Sequence, residues 1–159
     1  MKVPAWLLLL TASLSFLSAV AQAEVLEYRR PLTDDERRCL SEALRTGEWR
    51  YSPDSYQPMM QAARVARVDL NQDGKKEYIF IAPEFDFCGT AGCSMVIAQA
   101  DRRGMCHEIY DGSGFEHATR VLAKRDHGYR RLYTPCEVRF DGRQYQQMRE
   151  ECPNAVVHR

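Results

Sequence analysis

Two apolar, β-type segments separated by a polar turn make up residues 63–82, which read ARVARVDLNQDGKKEYIFIA. The segments are residues 63–70 and 77–82, and the turn between them is Asn71-Gln72-Asp73-Gly74. Asn and Asp favour turns because their side chains hydrogen-bond the local backbone, and Gly accepts positive φ. This region therefore predicts two antiparallel strands.

The same pattern of short runs and turns continues to residue 150. The further runs are residues 94–99, 105–110, 119–123, 129–133, 137–140 and 143–148. Asp141-Gly142 joins the last two runs, and this dipeptide suits a two-residue hairpin turn. Connections this short join antiparallel neighbours, so a mainly antiparallel sheet of about eight short strands is predicted over residues 62–150.

A helix is predicted before these strands, over residues 34–46. Thr33 and Glu36 have the spacing of a capping box, and Gly47 is a natural helix end. Residues 48–61 are interpreted as an ordered loop with aromatic anchors. The expected fold is α+β, with this helix packed on a disulfide-stapled sheet.

The N-terminus has the features of a signal peptide over residues 1–23. Lys2 gives a positive start, and residues 5–20 carry no charge. Ala21-Gln22-Ala23 then matches the small-x-small pattern of a cleavage site. Cleavage would leave a single domain, residues 24–159, in the periplasm or the medium, without a membrane anchor. The alternative is an uncleaved anchor, because the apolar stretch approaches the length that spans a bilayer.

The charge balance argues against nucleic acid as a partner. The chain has 22 basic and 22 acidic residues, and no run of five like charges. Nucleic-acid binding proteins need clustered Lys and Arg to displace phosphate counterions. We expect a monomer that contacts, at most, another protein of the cell envelope.

The cysteines predict disulfides. They are Cys39, Cys88, Cys93, Cys106, Cys136 and Cys152. An even number in an exported chain favours disulfides over zinc, and no Cys-x-x-Cys is present. Cys88–Cys93 is the most local pair, and its alternative role is a redox pair. A Cys39–Cys152 bridge would stabilise the chain most, by about 5 kcal/mol. Cys106–Cys136 then follows by elimination.

The turn after residue 68 has the ligand spacing of a calcium loop. The predicted ligands are the side chains of Asp69, Asn71, Asp73 and Glu77 and the backbone carbonyl of Lys75. A complete EF-hand is excluded, because its twelfth position is Phe80 and its flanks are β-type. The alternative is an Asx-rich turn that folds without metal.

Several motifs together carry a wider resemblance. The loop resembles the strand-loop-strand calcium loops of FG-GAP and VCBS-type repeats, with Gln72 in place of the usual Gly. The motifs that follow it are Cys-Gly-Thr-x-Gly-Cys at 88–93, His-Gly-Tyr-Arg at 127–130 and Phe-Asp-Gly at 140–142. With them, residues 62–146 resemble a group of small exported bacterial proteins, mostly uncharacterised. The resemblance implies a periplasmic or secreted β-rich domain and supplies no activity.

Two functions are predicted from these features. The first is a non-catalytic binding module, of the inhibitor or immunity type, directed against an envelope-acting hydrolase. Its expected contacts are the loop at Asp111–Gly114 and the binding loop formed by Cys88, Gly89, Thr90, Ala91, Gly92 and Cys93. The alternative is a small envelope hydrolase that uses Glu84, Asp86 and His127, which requires these groups to share one pocket.

Overall fold

The computed structural model describes residues 23–47, 53–134, 136–148 and 152. The described residues form helices α1 (Asp34–Thr46) and α2 (Pro53–Ala62) and ten strands. The strands are β1 (Glu24–Val25), β2 (Arg64–Val68), β3 (Glu77–Ile81), β4 (Cys88–Gly89), β5 (Gly92–Ala100), β6 (Cys106–Gly114), β7 (Arg120–Asp126), β8 (Tyr129–Tyr133), β9 (Glu137–Phe140) and β10 (Tyr145–Gln147). The signal peptide predicted for residues 1–23 lies outside the described residues, except for position 23, and residues 48–52 lie outside them entirely.

The predicted helix 34–46 is confirmed, and its N-terminus is fixed by the capping box. The Thr33 N–H donates to Glu36 Oε2 at 2.8 Å, and the Glu36 N–H donates to Thr33 Oγ1 at 3.4 Å. At the other end the Gly47 N–H donates to the Ala43 carbonyl at 2.8 Å. Side-chain capping therefore defines the start of α1, and a backbone hydrogen bond from Gly47 marks its end.

The prediction of a loop over residues 48–61 is wrong for residues 53–61, which lie in α2. Pro53 is tolerated because the first residues of a helix have no intrahelical acceptor for their N–H groups. Pro58 lies inside the helix and removes one backbone hydrogen bond. Met59 and Ala62 are buried against the core, and this burial offsets the lost bond.

The predicted antiparallel strands are confirmed, and two short ones, β1 and β4, are added. The strands form two sheets instead of one. In the central sheet, hydrogen-bonded neighbours follow the order β2-β3-β5-β4, and β6 pairs with the edge of β5 that β3 and β4 leave open. The outer sheet has the order β1-β7-β8-β9-β10. Residues 115–119 carry the chain from β6 to β7 and thus from one sheet to the other.

The central sheet is covered on both faces, which gives three layers. Toward α1 and α2, its buried side chains include Val65, Phe80, Val96 and Ala98. Toward the outer sheet, they include Ala66, Ile79, Met95 and Ile97. Successive side chains of a strand point to opposite faces, so the continuous apolar runs of β3 and β5 supply both cores.

Three disulfides join Cys39 to Cys106, Cys88 to Cys93 and Cys136 to Cys152. The predicted Cys88–Cys93 pair is confirmed, whereas the predicted Cys39–Cys152 and Cys106–Cys136 pairs are wrong. Cys39 meets Cys106 because α1 packs on the start of β6, where the Cys106 N–H also donates to the Glu42 carboxylate at 2.8 Å. Loop entropy ranks the stabilisation a bridge provides, but tertiary packing decides which cysteines meet.

The disulfides are compatible with a periplasmic or extracellular location, since such bonds persist in oxidising compartments. Neither helix in the described part of the chain has the length and apolar character needed to cross a membrane.

Candidate functional site

The chain leaves the central sheet between β3 and β4. Just after β3, the Ala82 N–H donates to the backbone carbonyl of Ser94 on β5 at 3.0 Å. The chain pairs with β5 again at β4, through the pairs Cys88–Cys93 and Gly89–Gly92. The intervening residues turn outward and form a short 3-10 helix at Phe85–Phe87. We call residues 83–93 the projection.

The projection is anchored at its base. Phe87 packs against the core on the helix side of the central sheet, and its N–H donates to the Glu84 carbonyl at 2.9 Å. The Ser94 hydroxyl donates to the Phe87 carbonyl at 3.3 Å. The Cys88–Cys93 disulfide closes the hairpin behind it. Contacts of three kinds therefore hold the base of the projection.

Gly92 is required at the turn of this hairpin. Its φ is +118°, and an added Cβ would stand 2.7 Å from the Gly114 carbonyl oxygen of β6. Only glycine combines this backbone conformation with so close an approach.

Phe85 is the most exposed large apolar side chain in the described part of the chain, at 93% of its full accessibility. Phe87, two residues further on, is packed against the core, so the two rings of the 3-10 helix have opposite environments. Sequence reasoning selected residues 88–93 and missed Phe85. The signal was a phenylalanine between two acids, Glu84 and Asp86, directly before a disulfide hairpin.

The predicted second loop, Asp111–Gly114, is wrong, because these residues form the end of β6 and pair with β5. Their glycines serve close packing. A Cβ at Gly112 would stand 2.4 Å from the Tyr110 hydroxyl oxygen, and one at Gly114 would stand 2.6 Å from the Met95 sulfur.

Glu84, Asp86 and His127 do not meet in one pocket. The two acids follow the end of β3, whereas His127 lies in the turn between β7 and β8. That turn is beside the start of β3, since Asn71 Nδ2 donates to the Tyr129 hydroxyl at 3.3 Å. The length of β3, about 13 Å for its five residues, separates the two ends.

The calcium-type loop is closed by its own hydrogen bonds. Asp69 accepts the Gln72 and Gly74 N–H groups at 2.6 and 3.0 Å, and Asp73 accepts the Lys75 N–H at 2.7 Å. Across the described residues, no three His, Cys, Asp or Glu side chains converge as a metal cluster. These bonds are those of an Asx-rich turn.

Glu77 lies beneath this loop and is only 1% exposed. Its carboxylate accepts the Leu70 N–H at 2.7 Å and Gln99 Nε2 at 3.2 Å. Burial, together with a smaller contribution from the Asp73 and Asp69 carboxylates, raises the pKa of Glu77 to about 7, against the lowering effect of the Leu70 N–H. Glu77 is therefore a buried acid with two other carboxylates nearby.

Gln72 adopts a backbone conformation that favours glycine. Its φ is +63°, in the left-handed region, where a side chain costs about 1 kcal/mol or more. Glycine would adopt this conformation without that cost.

Comparison of the chain with protein-family models, curated proteins and solved structures finds no match. Inferences about its function therefore depend on its own residues.

Proposed function

We propose that the protein is a non-catalytic binding module that acts in the periplasm or outside the cell and blocks an envelope-acting hydrolase. The observation that carries this proposal is the exposure of Phe85, 93%, on a projection whose base is fixed. Transfer of a phenylalanine side chain from water to an apolar pocket is worth about 1.5–3 kcal/mol. The Phe85 ring would gain this free energy by entering an apolar pocket of the partner.

Anchoring of the base supports a binding role. Association is weakened when loops must be ordered on binding, and a held loop avoids much of that loss. Phe87, Ser94 and the Cys88–Cys93 bridge restrain the backbone after the tip, and the bond from the Ala82 N–H to the Ser94 carbonyl holds the backbone before it. An exposed aromatic side chain on a restrained backbone suits insertion into a concave site such as a substrate cleft.

The hydrolase alternative is supported less well by the geometry. A general acid and base must lie within hydrogen-bond reach of one substrate. Glu84 and Asp86 are on the projection, while His127 is near the opposite end of β3.

The export part of the proposal is supported by the three disulfides and by the signal-peptide features of residues 1–23. Intact-mass measurement of the protein from its bacterial host should give an N-terminus at Glu24. Retention of residues 1–23 would contradict export by cleavage.

Replacing Cys88 and Cys93 together by serine should weaken partner capture more than it lowers stability. The bridge closes a short loop, so its loss is expected to lower the free energy of unfolding by about 2 kcal/mol. The projection would then lose its pre-organisation in an otherwise folded protein. The measurements are affinity capture from periplasmic extract, compared with wild type, and urea unfolding of both proteins.

A hydrolytic activity would contradict the module. The assay offers peptidoglycan, peptide and ester substrates to the wild-type protein, and no turnover is expected. Turnover that disappears in Glu84→Gln or His127→Ala, with the circular dichroism spectrum unchanged, would establish the enzyme instead.

We also propose that calcium reinforces the loop at residues 69–77. The support is the ligand spacing of Asp69, Asn71, Asp73 and Glu77, with the Lys75 carbonyl as a fifth oxygen. Carboxylate oxygens that accept one N–H retain further lone pairs. Calcium would offset the mutual repulsion of the acids, but Lys75 and Lys76 add positive charge and weaken its binding.

Millimolar calcium should therefore raise the melting temperature, because a ligand that binds only the folded state stabilises it by mass action. In Asp73→Ala the difference between calcium and chelator should vanish. The variant starts from a lower melting temperature, since Asp73 also accepts the Lys75 N–H, so the difference is the quantity to compare. Equal melting temperatures of the wild type in calcium and in chelator would identify the loop as a turn only.

A further inference from the structure

We infer that the partner presents an apolar pocket edged by lysine and arginine side chains, as in a hydrolase that cleaves an anionic polymer. This inference rests on the proposed function and specifies the chemistry of the partner's site. It follows from the charges that surround Phe85.

The projection carries only negative charge. Glu84 and Asp86 flank Phe85, and residues 83–93 contain no lysine or arginine. Asp86 is exposed, and no ion pair to it occurs within the described residues. The aromatic tip is thus presented between two carboxylates.

Arg30 neutralises Glu84 only weakly. Arg30 Nη1 lies 3.8 Å from Glu84 Oε1, and both side chains are more than half exposed. Exposed pairs of this kind contribute little, because water and salt screen them. A cation of the partner can therefore replace Arg30 at small cost.

Arg64 also leaves the charge of the projection uncompensated. It lies at the same end of the central sheet, since it pairs with Ile81 at the end of β3. Glu116 holds its Nη1 with both carboxylate oxygens, at 2.7 and 2.9 Å. The charge of Arg64 is therefore neutralised by Glu116 and does not neutralise the carboxylates of the projection.

The complementary surface is an apolar pocket within a positive rim. Enzymes that bind anionic polymers line their clefts with cations, which attract the substrate over a distance. The same cations would attract the carboxylates of Glu84 and Asp86 beside the Phe85 ring. The ring would enter the apolar part of the cleft, and the two carboxylates would meet cations at its edge.

The two kinds of side chain should affect different rate constants. Charges at the rim of an interface mainly change the association rate and its salt dependence. A buried aromatic anchor mainly changes the dissociation rate. Removing the carboxylates should therefore leave a complex that forms slowly but persists.

The test uses a periplasmic extract separated by cation exchange at neutral pH into a basic and an acidic fraction. Immobilised wild-type protein and Phe85→Ala are exposed to each fraction, and proteins retained only by the wild type are eluted and purified. Their binding is then measured by surface plasmon resonance at about 50 and about 500 mM NaCl, where charge screening differs strongly.

We expect the partner to be captured from the basic fraction. Glu84→Gln with Asp86→Asn should slow association about tenfold or more at the lower salt concentration and weaken its salt dependence. The matched control is Asp34→Asn with Asp35→Asn, which removes the same net charge. Asp35 lies with Arg38 near Gly104, in the turn at the other end of β5, so this control should associate like the wild type.

Failure of this inference and failure of the binding-module proposal give different results. A protein whose capture depends on Phe85 but comes from the acidic fraction, or whose association is unchanged by the Glu84 and Asp86 substitutions, would overturn this inference and leave the binding module standing. If neither fraction contains a protein whose capture depends on Phe85, the binding module itself is rejected, and the inference falls with it.

Discussion

Replacing Cys39 and Cys106 together by serine is expected to lower the free energy of unfolding by about 4 kcal/mol. The two cysteines are 67 residues apart in sequence, so their bridge excludes many conformations of the unfolded chain. Both are buried between α1 and β6, so the serine hydroxyls lose water on folding. Urea unfolding of the oxidised proteins measures the loss.

The matched comparison is Cys136→Ser with Cys152→Ser. That bridge spans 16 residues, and its removal should cost about 3 kcal/mol. The Cys39–Cys106 variant should therefore be the less stable of the two. A Cys39–Cys106 variant as stable as the wild type would contradict the pairing of α1 with β6 through this bridge.

Phe85→Ala should weaken the complex with the captured partner about thirtyfold or more, which corresponds to the loss of at least about 2 kcal/mol at an interface hot spot. The melting temperature should not change, because the ring is 93% exposed and contributes almost no burial to the fold. Titration calorimetry with purified partner measures the first quantity, and scanning calorimetry measures the second.

Two controls isolate the role of the tip. Met105→Ala removes another exposed apolar side chain, 56% accessible in the turn between β5 and β6, and should leave affinity unchanged. Phe87→Ala removes the anchored ring and should lower stability. If Met105→Ala weakens the complex as much as Phe85→Ala does, binding depends on general surface hydrophobicity and not on the projection.

Much of the fold follows from local sequence. The capping box at Thr33 and Glu36 and the terminal Gly47 fix α1, because each acts within one turn of the helix. The strand segments also follow, since turn residues separate them. Cys88–Cys93 could be predicted because only four residues lie between the cysteines and two of them are glycines.

The remaining features depend on contacts between distant residues. The burial of Met59 and Ala62 decides in favour of α2, against Pro58 in its interior. The division into two sheets depends on which apolar faces meet. Packing of α1 on β6 likewise selects Cys106 as the partner of Cys39.

The candidate site was only partly predictable. The hairpin at residues 88–93 carries a local signal, whereas the exposure of Phe85 does not. Phe85 and Phe87 are the same amino acid two positions apart, and only the 3-10 turn places Phe87 against the core and Phe85 in solvent. Sequence alone does not show which of the two phenylalanines packs against the core and which is exposed.

Photo-crosslinking at position 85 shows whether the tip of the projection contacts a partner in the cell. Phe85 is replaced by p-benzoylphenylalanine, which keeps an aromatic side chain at an exposed position, and Met105 is replaced in the same way as a control. The cells that export the protein are then irradiated. One discrete crosslinked protein is expected from position 85 and none from position 105. The absence of a crosslink at position 85, or the same product from both positions, would contradict a binding role of the projection.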